Sequence, residues 1–238
     1  MITLNNQEKG MAQREFRILI PPSEGKTPGG DGKPLRRARK PEKEMVERLS
    51  AFDGDWEKLL GVKGDAKDAA IEANQNLLRT ATRPAIERYT GVVYQGIDYS
   101  SLRKPAKTFF DRHVRIVSAV FGLVEPQFCI PDYKLKIEKL DAAKYWRPLL
   151  AKELSNCLVV DLLPQAHRKA VAYEDGIEVE FYMEKSGKRK SAGHFGKLIK
   201  GKFVRWLCEN RVKSVARFKE FEEDGYQWNG DFFLKMDQ

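Results

Sequence analysis

The sequence predicts an α+β fold, a mixed sheet core flanked by helices, and three observations support this prediction. Short apolar runs bounded by turn residues predict strands at 16–20, 91–94, 114–121, 157–163 and 177–183. Apolar residues at helical spacing predict helices over 41–88, 141–155 and 195–210. The two kinds of element mix without a regular strand–helix–strand repeat, which favours α+β over a strictly alternating fold.

The chain divides into a short extension and one large domain. Residues 1–15 have no apolar core, so we expect a flexible N-terminal extension and not a signal peptide. Residues 16–238 are predicted to form a single domain, with 41–88 as a helical insert. No apolar run is long enough to cross a bilayer, and the three cysteines form no C-x-x-C pair. We therefore expect a cytoplasmic protein with reduced thiols and no membrane partner.

The charge of the chain points to anionic partners. Its 43 Lys and Arg residues outnumber 34 Asp and Glu residues, which gives a net charge of +9. A surface of this kind attracts phosphates, on nucleic acid or on small ligands. A basic surface that is simply solvated is the alternative, because many basic proteins bind neither specifically.

The loop after the first predicted strand contains Gly25-Lys26-Thr27, which matches the end of a phosphate-binding loop. The glycine that such a loop needs five residues earlier is Ile20, and Pro21 and Pro22 lack the amide donors of a phosphate cradle. Nucleotide hydrolysis by a P-loop is therefore excluded. A loop at a strand end is still a common place for ligand contacts, and a plain structural turn is the alternative.

A turn containing Gly61 and Gly64 joins two predicted helices and carries Lys63 and Lys67. Helix-hairpin-helix modules use such a turn to direct backbone amides and a lysine at a DNA phosphate. Two residues separate the glycines here, where the usual spacing has one. An ordinary interhelical turn, with Asp65 as the cap of the second helix, is the alternative.

A basic run precedes this insert in a stretch rich in turn residues. It would extend a surface for DNA phosphates, or it would be a solvated loop. Its residues are Arg36, Arg37, Arg39 and Lys40.

The three histidines, His113, His167 and His194, do not have the spacing of a metal site. His194 differs from the others because it ends a strand, begins a helix and lies near Lys197 and Lys200. An imidazole in that position suits a general base or an axial haem ligand. The residues themselves predict no cofactor. If the protein catalyses an oxidation, the expected cofactor is haem, held by His194 or His113.

Several segments together resemble one family, the peroxide stress protein YaaA family, in register from Arg17 to near Trp228. The segments are ILIPPSEGKT, VVYQGID, HVRIVSAVFGLVEPQFCIPDYKLKI, YWRPLL, HFGKLIKGKFVRWLCENR and FEEDGYQW. The resemblance implies a cytoplasmic role in defence against peroxide, which limits iron-dependent damage to DNA. It also implies a mixed α and β fold with a helix-hairpin-helix element, here at 56–79, and DNA as a partner bound through its backbone.

An enzyme acting on a small anionic or aromatic substrate is the second function that the sequence supports. Polar residues at strand ends and turns would converge on one basic cleft, and a haem- or iron-dependent oxidation is one form of this chemistry. The candidate residues are Ser23, Lys26, Tyr94, Arg115, Tyr133, His194 and Lys197.

Two segments depart from the family pattern. Ala119 stands in a segment that usually reads S-G-L-Y-G, and residues 161–165 replace a small turn that contains serine. Both changes predict an altered pocket and a member with specialised chemistry.

Overall fold

The structure is a computed structural model that describes residues 14–35, 38–185 and 187–236. Its first half contains, in chain order, β1 (Glu15–Ile20), α1 (Lys40–Ser50), α2 (Trp56–Leu60), α3 (Gly64–Gln75), β2 (Arg83–Pro84), α4 (Ala85–Arg88), α5 (Val92–Ile97) and α6 (Lys104–His113). The chain continues through β3 (Val114–Ser118), β4 (Gly122–Val124), β5 (Cys129–Ile130), α7 (Ala142–Leu154) and β6 (Cys157–Asp161). It ends with α8 (Gln165–Arg168), β7 (Asp175–Glu178), β8 (Phe181–Lys185), β9 (Lys188–Ser191), α9 (Gly193–Glu209), β10 (Tyr226–Trp228) and β11 (Phe233–Lys235). Two 3₁₀ helices cover Tyr99–Ser101 and Val215–Glu220.

The central sheet has five strands in the order β4-β3-β1-β6-β7. Strands β3, β1, β6 and β7 are parallel to one another, and β4 runs antiparallel to β3 at the edge. The inner strands are largely buried, and their carboxyl-terminal halves are buried throughout. From β1 the chain goes on to β3 on one side, and from β6 it goes on to β7 on the other. The order in which successive strands are added to the sheet therefore reverses between β1 and β6.

A second sheet has the order β10-β11-β8-β9, and β2 pairs with β5 in a two-stranded sheet. The α+β prediction is thus confirmed, with mixed sheets and helices around them. Helices α1 to α3 share one hydrophobic core with the central sheet through Met45, Leu49, Leu60 and Ala70. Among the described residues, no helix combines the length and the apolarity that crossing a membrane requires.

The strand predicted at 91–94 is wrong, because residues 92–97 form helix α5. The run of Val92, Val93 and Tyr94 favours a strand locally. Tertiary packing overrides this preference: α5 lies against α9, and the two backbones meet at Gly96 and Gly201. Local propensity contains no information about this contact.

The strand predicted at 177–183 is also divided. Residues 175–178 belong to the central sheet and residues 181–185 to the second sheet. The alternating pattern is a true strand pattern, but it cannot show that the chain changes sheets between Glu178 and Phe181.

We expect the fold to become less stable as the pH is lowered, because of the buried side chain of His113. This ring is buried against Phe16 and Phe109, its Nδ1 lies 3.0 Å from the Phe16 carbonyl oxygen, and burial lowers its pKa from 6.5 to about 4. Between these pH values the unfolded chain takes up a proton that the folded chain does not, so stability is complete above pH 6.5 and falls as the pH approaches 4. Urea unfolding at pH 7 and pH 5 should show a smaller loss for His113→Gln than for the unchanged protein, and an equal loss in both would contradict this prediction.

Candidate functional sites: a basic arm and a cavity at the sheet edge

The glycine turn that was predicted between two helices is present. Helix α2 ends at Gly61, whose backbone is left-handed with φ 67°, and α3 begins at Gly64, whose φ is 55°. Lys63 is the residue before α3, and Asp65 lies in its first turn. Helix α2 has only five residues, so a helix-hairpin-helix character of this turn stays a prediction.

The charges around this turn are unfavourable for a phosphate. Residues 53–76 contain six acidic and three basic residues, which gives a net charge of −3 in a chain of net charge +9. The Nζ of Lys63 already lies 2.9 Å from a Glu57 carboxylate oxygen, and the Nζ of Lys67 lies 3.8 Å from Asp68. A DNA backbone at this turn would meet acidic side chains on both helices.

The basic run before the insert is only partly described, since Arg36 and Arg37 lie outside the described residues. Arg39 precedes α1, and its side chain pairs with Glu42 and Glu153. Lys40 is exposed at the start of α1. The structure therefore gives Arg39 a helix-capping and ion-pairing role, and Lys40 stays a candidate for phosphate contact.

A strongly basic segment lies elsewhere, in residues 181–200, which we call the basic arm. The arm comprises the β8–β9 hairpin and the first half of α9 and has six basic residues against one acidic residue, Glu184. Its exposed cations form no ion pair within the described ranges. They are Lys185, Lys188, Arg189, Lys190 and Lys197.

Aromatic rings support this arm. The guanidinium carbon of Arg189 lies 4.6 Å from the ring centre of Tyr182 and 4.7 Å from that of Phe232. Lys185 and Lys188 face each other directly in the register of the hairpin, a like-charge pairing that is unfavourable without a bridging anion. Phe195, at the start of α9, is 39% exposed, and the Nζ of Lys235 lies 5.8 Å from its ring centre. Cations interleaved with open aromatic rings are typical of a nucleic-acid surface.

A cavity of about 630 Å³ lies beside the arm, at the carboxyl ends of β1 and β6. Its walls come from the loops after these two strands, from the start of α5 and from the start of α9. Among the predicted ligand residues, Ser23, Tyr94 and Lys197 line it. Open α/β sheets bind ligands at the place where the strand order reverses, which here is between β1 and β6.

A buried network of charges lies under the cavity. Asp161 is 1% exposed and accepts hydrogen bonds from the Leu163 amide (2.7 Å) and the Tyr173 hydroxyl (3.0 Å). Arg168 pairs with Asp161 at 3.3 Å and with Glu180 at 2.6 Å. The Lys200 ammonium group donates to Glu180 at 2.9 Å. These ion pairs fix the loop after β6, which forms one wall of the cavity.

Lys26 and Tyr133 form a second cluster, and neither residue lines the cavity. The Nζ of Lys26 lies 4.4 Å from the Tyr133 ring centre and 5.7 Å from that of Tyr89. The Tyr133 hydroxyl is hydrogen-bonded at 2.8 Å to both Tyr89 and Ser118. Burial lowers the pKa of Lys26 to about 8 and raises that of Tyr133 to about 12. A lysine in such surroundings is more easily deprotonated than a surface lysine.

Neither Arg115, a predicted cleft residue, nor His113, a candidate haem ligand, lines this cavity. Arg115 is the second residue of β3, and its guanidinium donates to Glu125 at 3.1 Å. His113 is buried at the end of α6, directly before β3, and its Nδ1 lies 3.0 Å from the Phe16 carbonyl oxygen. His194 is exposed at the start of α9, beside the cavity rim. Of the two candidate haem ligands, His194 is the one whose ring an external group can reach.

Several residues of the cavity are not indicated as site residues by the sequence, among them His167, Glu180 and Lys200. Burial lowers the pKa of His167 to about 4, so this ring is neutral. The segment D-L-L-P-Q-A-H directly after a buried strand was the available signal for His167. Nothing in the sequence indicates that Glu180 and Lys200 pair, since helix α9 brings them together.

These features define a basic α+β protein with a ligand-sized cavity at the point where the strand order of its central sheet reverses. A family model described as "Peroxide stress protein YaaA" matches residues 16–232. A UPF0246 protein of Corynebacterium glutamicum strain R is 34% identical over 212 residues, which cover 80% of this chain and 84% of that protein. A UPF0246 protein of Francisella tularensis subsp. novicida is 27% identical over 167 residues, covering 63% of this chain and 66% of that protein.

The chain belongs to the peroxide stress protein YaaA family. Family membership confirms the resemblance found in the sequence and supports a role in peroxide stress.

Proposed function

We propose that this protein binds DNA in the peroxide stress response, and that the basic arm makes the main contacts with the phosphate backbone. In this proposal, DNA binding is the means by which the protein limits iron-dependent oxidative damage. The observation that carries it is the contrast in charge: the arm has five exposed, unpaired cations among the described residues, whereas the α2–α3 segment has a net charge of −3.

The arm has the geometry that backbone binding needs. Its cations lie on both faces of a two-stranded hairpin and on the helix that follows, so they can contact successive phosphates. Contacts of this kind are sequence-tolerant and are weakened steeply by salt. An edge strand rich in lysine has a second explanation, because lysines also prevent edge-to-edge pairing of sheets. Charge-reversal variants distinguish phosphate binding from protection of the sheet edge.

Two double variants with the same change in charge test the location of the interface. Lys188→Glu with Lys190→Glu changes the arm, and Lys63→Glu with Lys67→Glu changes the glycine turn. Fluorescence anisotropy with a 20-base-pair duplex at several salt concentrations measures the affinity and its salt dependence. We expect the arm variant to bind at least about 10-fold more weakly at 150 mM salt, with a salt slope smaller by about 1.8 for two lost phosphate contacts. The turn variant should bind as the unchanged protein does.

Each other outcome contradicts the proposal in a specific way. A loss confined to the turn variant would place the interface at the helix-hairpin-helix, as the family resemblance implies. Equal losses would show that only net charge matters. Unchanged DNA binding together with aggregation of the arm variant would assign the lysines to protection of the sheet edge.

A further inference from the structure

We infer that the cavity between the loops after β1 and β6 is a binding site for a small organic monocarboxylate with an apolar body. This inference does not depend on DNA binding, because it rests on the walls and charges of the cavity alone. A volume of about 630 Å³ lies in the range of ligand pockets, which is 300–1,000 Å³.

The walls of the cavity favour an apolar body. Pro21 and Pro22 follow β1, Val92 and Val93 begin α5, and Phe181 begins β8. A cavity of this kind gains binding free energy from the apolar area that a ligand removes from water. Hydroxyl groups of a sugar that faced these apolar side chains would have no hydrogen-bond partner there, so this part of the lining favours an apolar body.

The charges of the cavity favour a single negative charge on the ligand. Lys200 is neutralised by Glu180 at 2.9 Å, and Glu24 at the rim pairs with Lys136 at 3.2 Å. His167 is neutral because burial lowers its pKa to about 4. Within the described ranges, Lys197 is the one cation of the lining without an ion pair.

One free ammonium group balances one carboxylate. It does not balance a di- or triphosphate, which agrees with the missing glycine and the two prolines of the loop after β1. The first residue of the 17-residue helix α9, Gly193, also lines the cavity, and the helix dipole favours an anion at this end.

Saturation-transfer NMR with three small probes tests this inference. Phenylacetate carries one negative charge, 2-phenylethanol carries none, and phenyl phosphate carries two at pH 8. We expect phenylacetate to bind at millimolar concentration, at least 5-fold more tightly than either of the other probes. Lys197→Gln should remove the preference for phenylacetate over 2-phenylethanol and leave binding of the neutral probe unchanged.

Two further variants locate the site. Lys190→Gln removes an exposed cation of the neighbouring strand that does not line the cavity, so it should keep the preference of the unchanged protein. Ser191→Trp places a large side chain at the lining and should abolish binding of all three probes. Chemical-shift dispersion checks that each variant is folded.

The inference is overturned if the unchanged protein binds none of the probes, or if Lys197→Gln keeps the preference for phenylacetate. Tighter binding of phenyl phosphate would show that the cavity holds more than one free positive charge. Because Lys197 is left intact in the Lys188 and Lys190 variants, a failure of the DNA proposal would not affect this result.

Discussion

We expect Asp161→Ala to lower the free energy of unfolding by about 3 kcal/mol, the typical effect of breaking a buried ion pair. Asp161 is 1% exposed and accepts from the Leu163 amide, the Tyr173 hydroxyl and the Arg168 guanidinium. Alanine leaves all three donors without this acceptor inside the protein, and each unsatisfied donor adds its desolvation cost. In a chain of this length the change corresponds to a decrease in Tm of about 6–12 °C, which differential scanning calorimetry measures.

Glu178→Ala is the matched control for this experiment. Glu178 also pairs with Arg168, at 3.2 Å, but its side chain is 60% exposed. Exposed ion pairs contribute about 0–1 kcal/mol, so this variant should stay close to the unchanged protein. Equal effects of the two substitutions would mean that burial does not determine the strength of the network.

Gly201→Ala is expected to destabilise the protein by about 3 kcal/mol, at the upper end of the range for overpacking. A Cβ at this position would overlap the Val93 carbonyl oxygen and lie 2.8 Å from the Gly96 Cα. Both atoms belong to the backbone of α5, so no side chain can move aside. The two helices would have to separate, and α5 would lose its position at the cavity wall. Chemical denaturation measures the loss.

Gly64→Ala provides the comparison for this substitution. Gly64 has φ 55° and no atom within 4 Å of a built Cβ, so alanine there costs only the backbone strain of about 1–2 kcal/mol. The Gly201 variant should be the less stable of the two. If Gly201→Ala were as stable as the unchanged protein, the close contact between α5 and α9 would be wrong.

The strands of the central sheet could be predicted because their signal is local. Strands β1, β3 and β6 each contain two or three adjacent buried apolar residues within five or six, and such short apolar runs are typical of strands inside a parallel sheet. Helices α7 and α9 were predicted to within a few residues for a similar reason, since each carries an apolar stripe at helical spacing. These patterns depend only on residues that are close in sequence.

The candidate sites could be predicted only in part. Ser23, Tyr94 and Lys197 were named from their places at strand ends and turns, and all three line the cavity. Arg115 was named for the same reason, but it does not line the cavity, and its guanidinium pairs with Glu125. The sequence does not show which loops and strand ends come together.

The sequence by itself determined the α+β class, the buried strands, the positive charge and the family. Composition and local periodicity carry this information, and a match over residues 16–232 adds to it. The tertiary structure alone decided that residues 92–97 are helical, that Lys200 is neutralised by Glu180, and that the exposed cations of the basic arm form no ion pair within the described ranges. Each of these results from contacts between segments that are distant in the chain, where packing and charge pairing outweigh local preference.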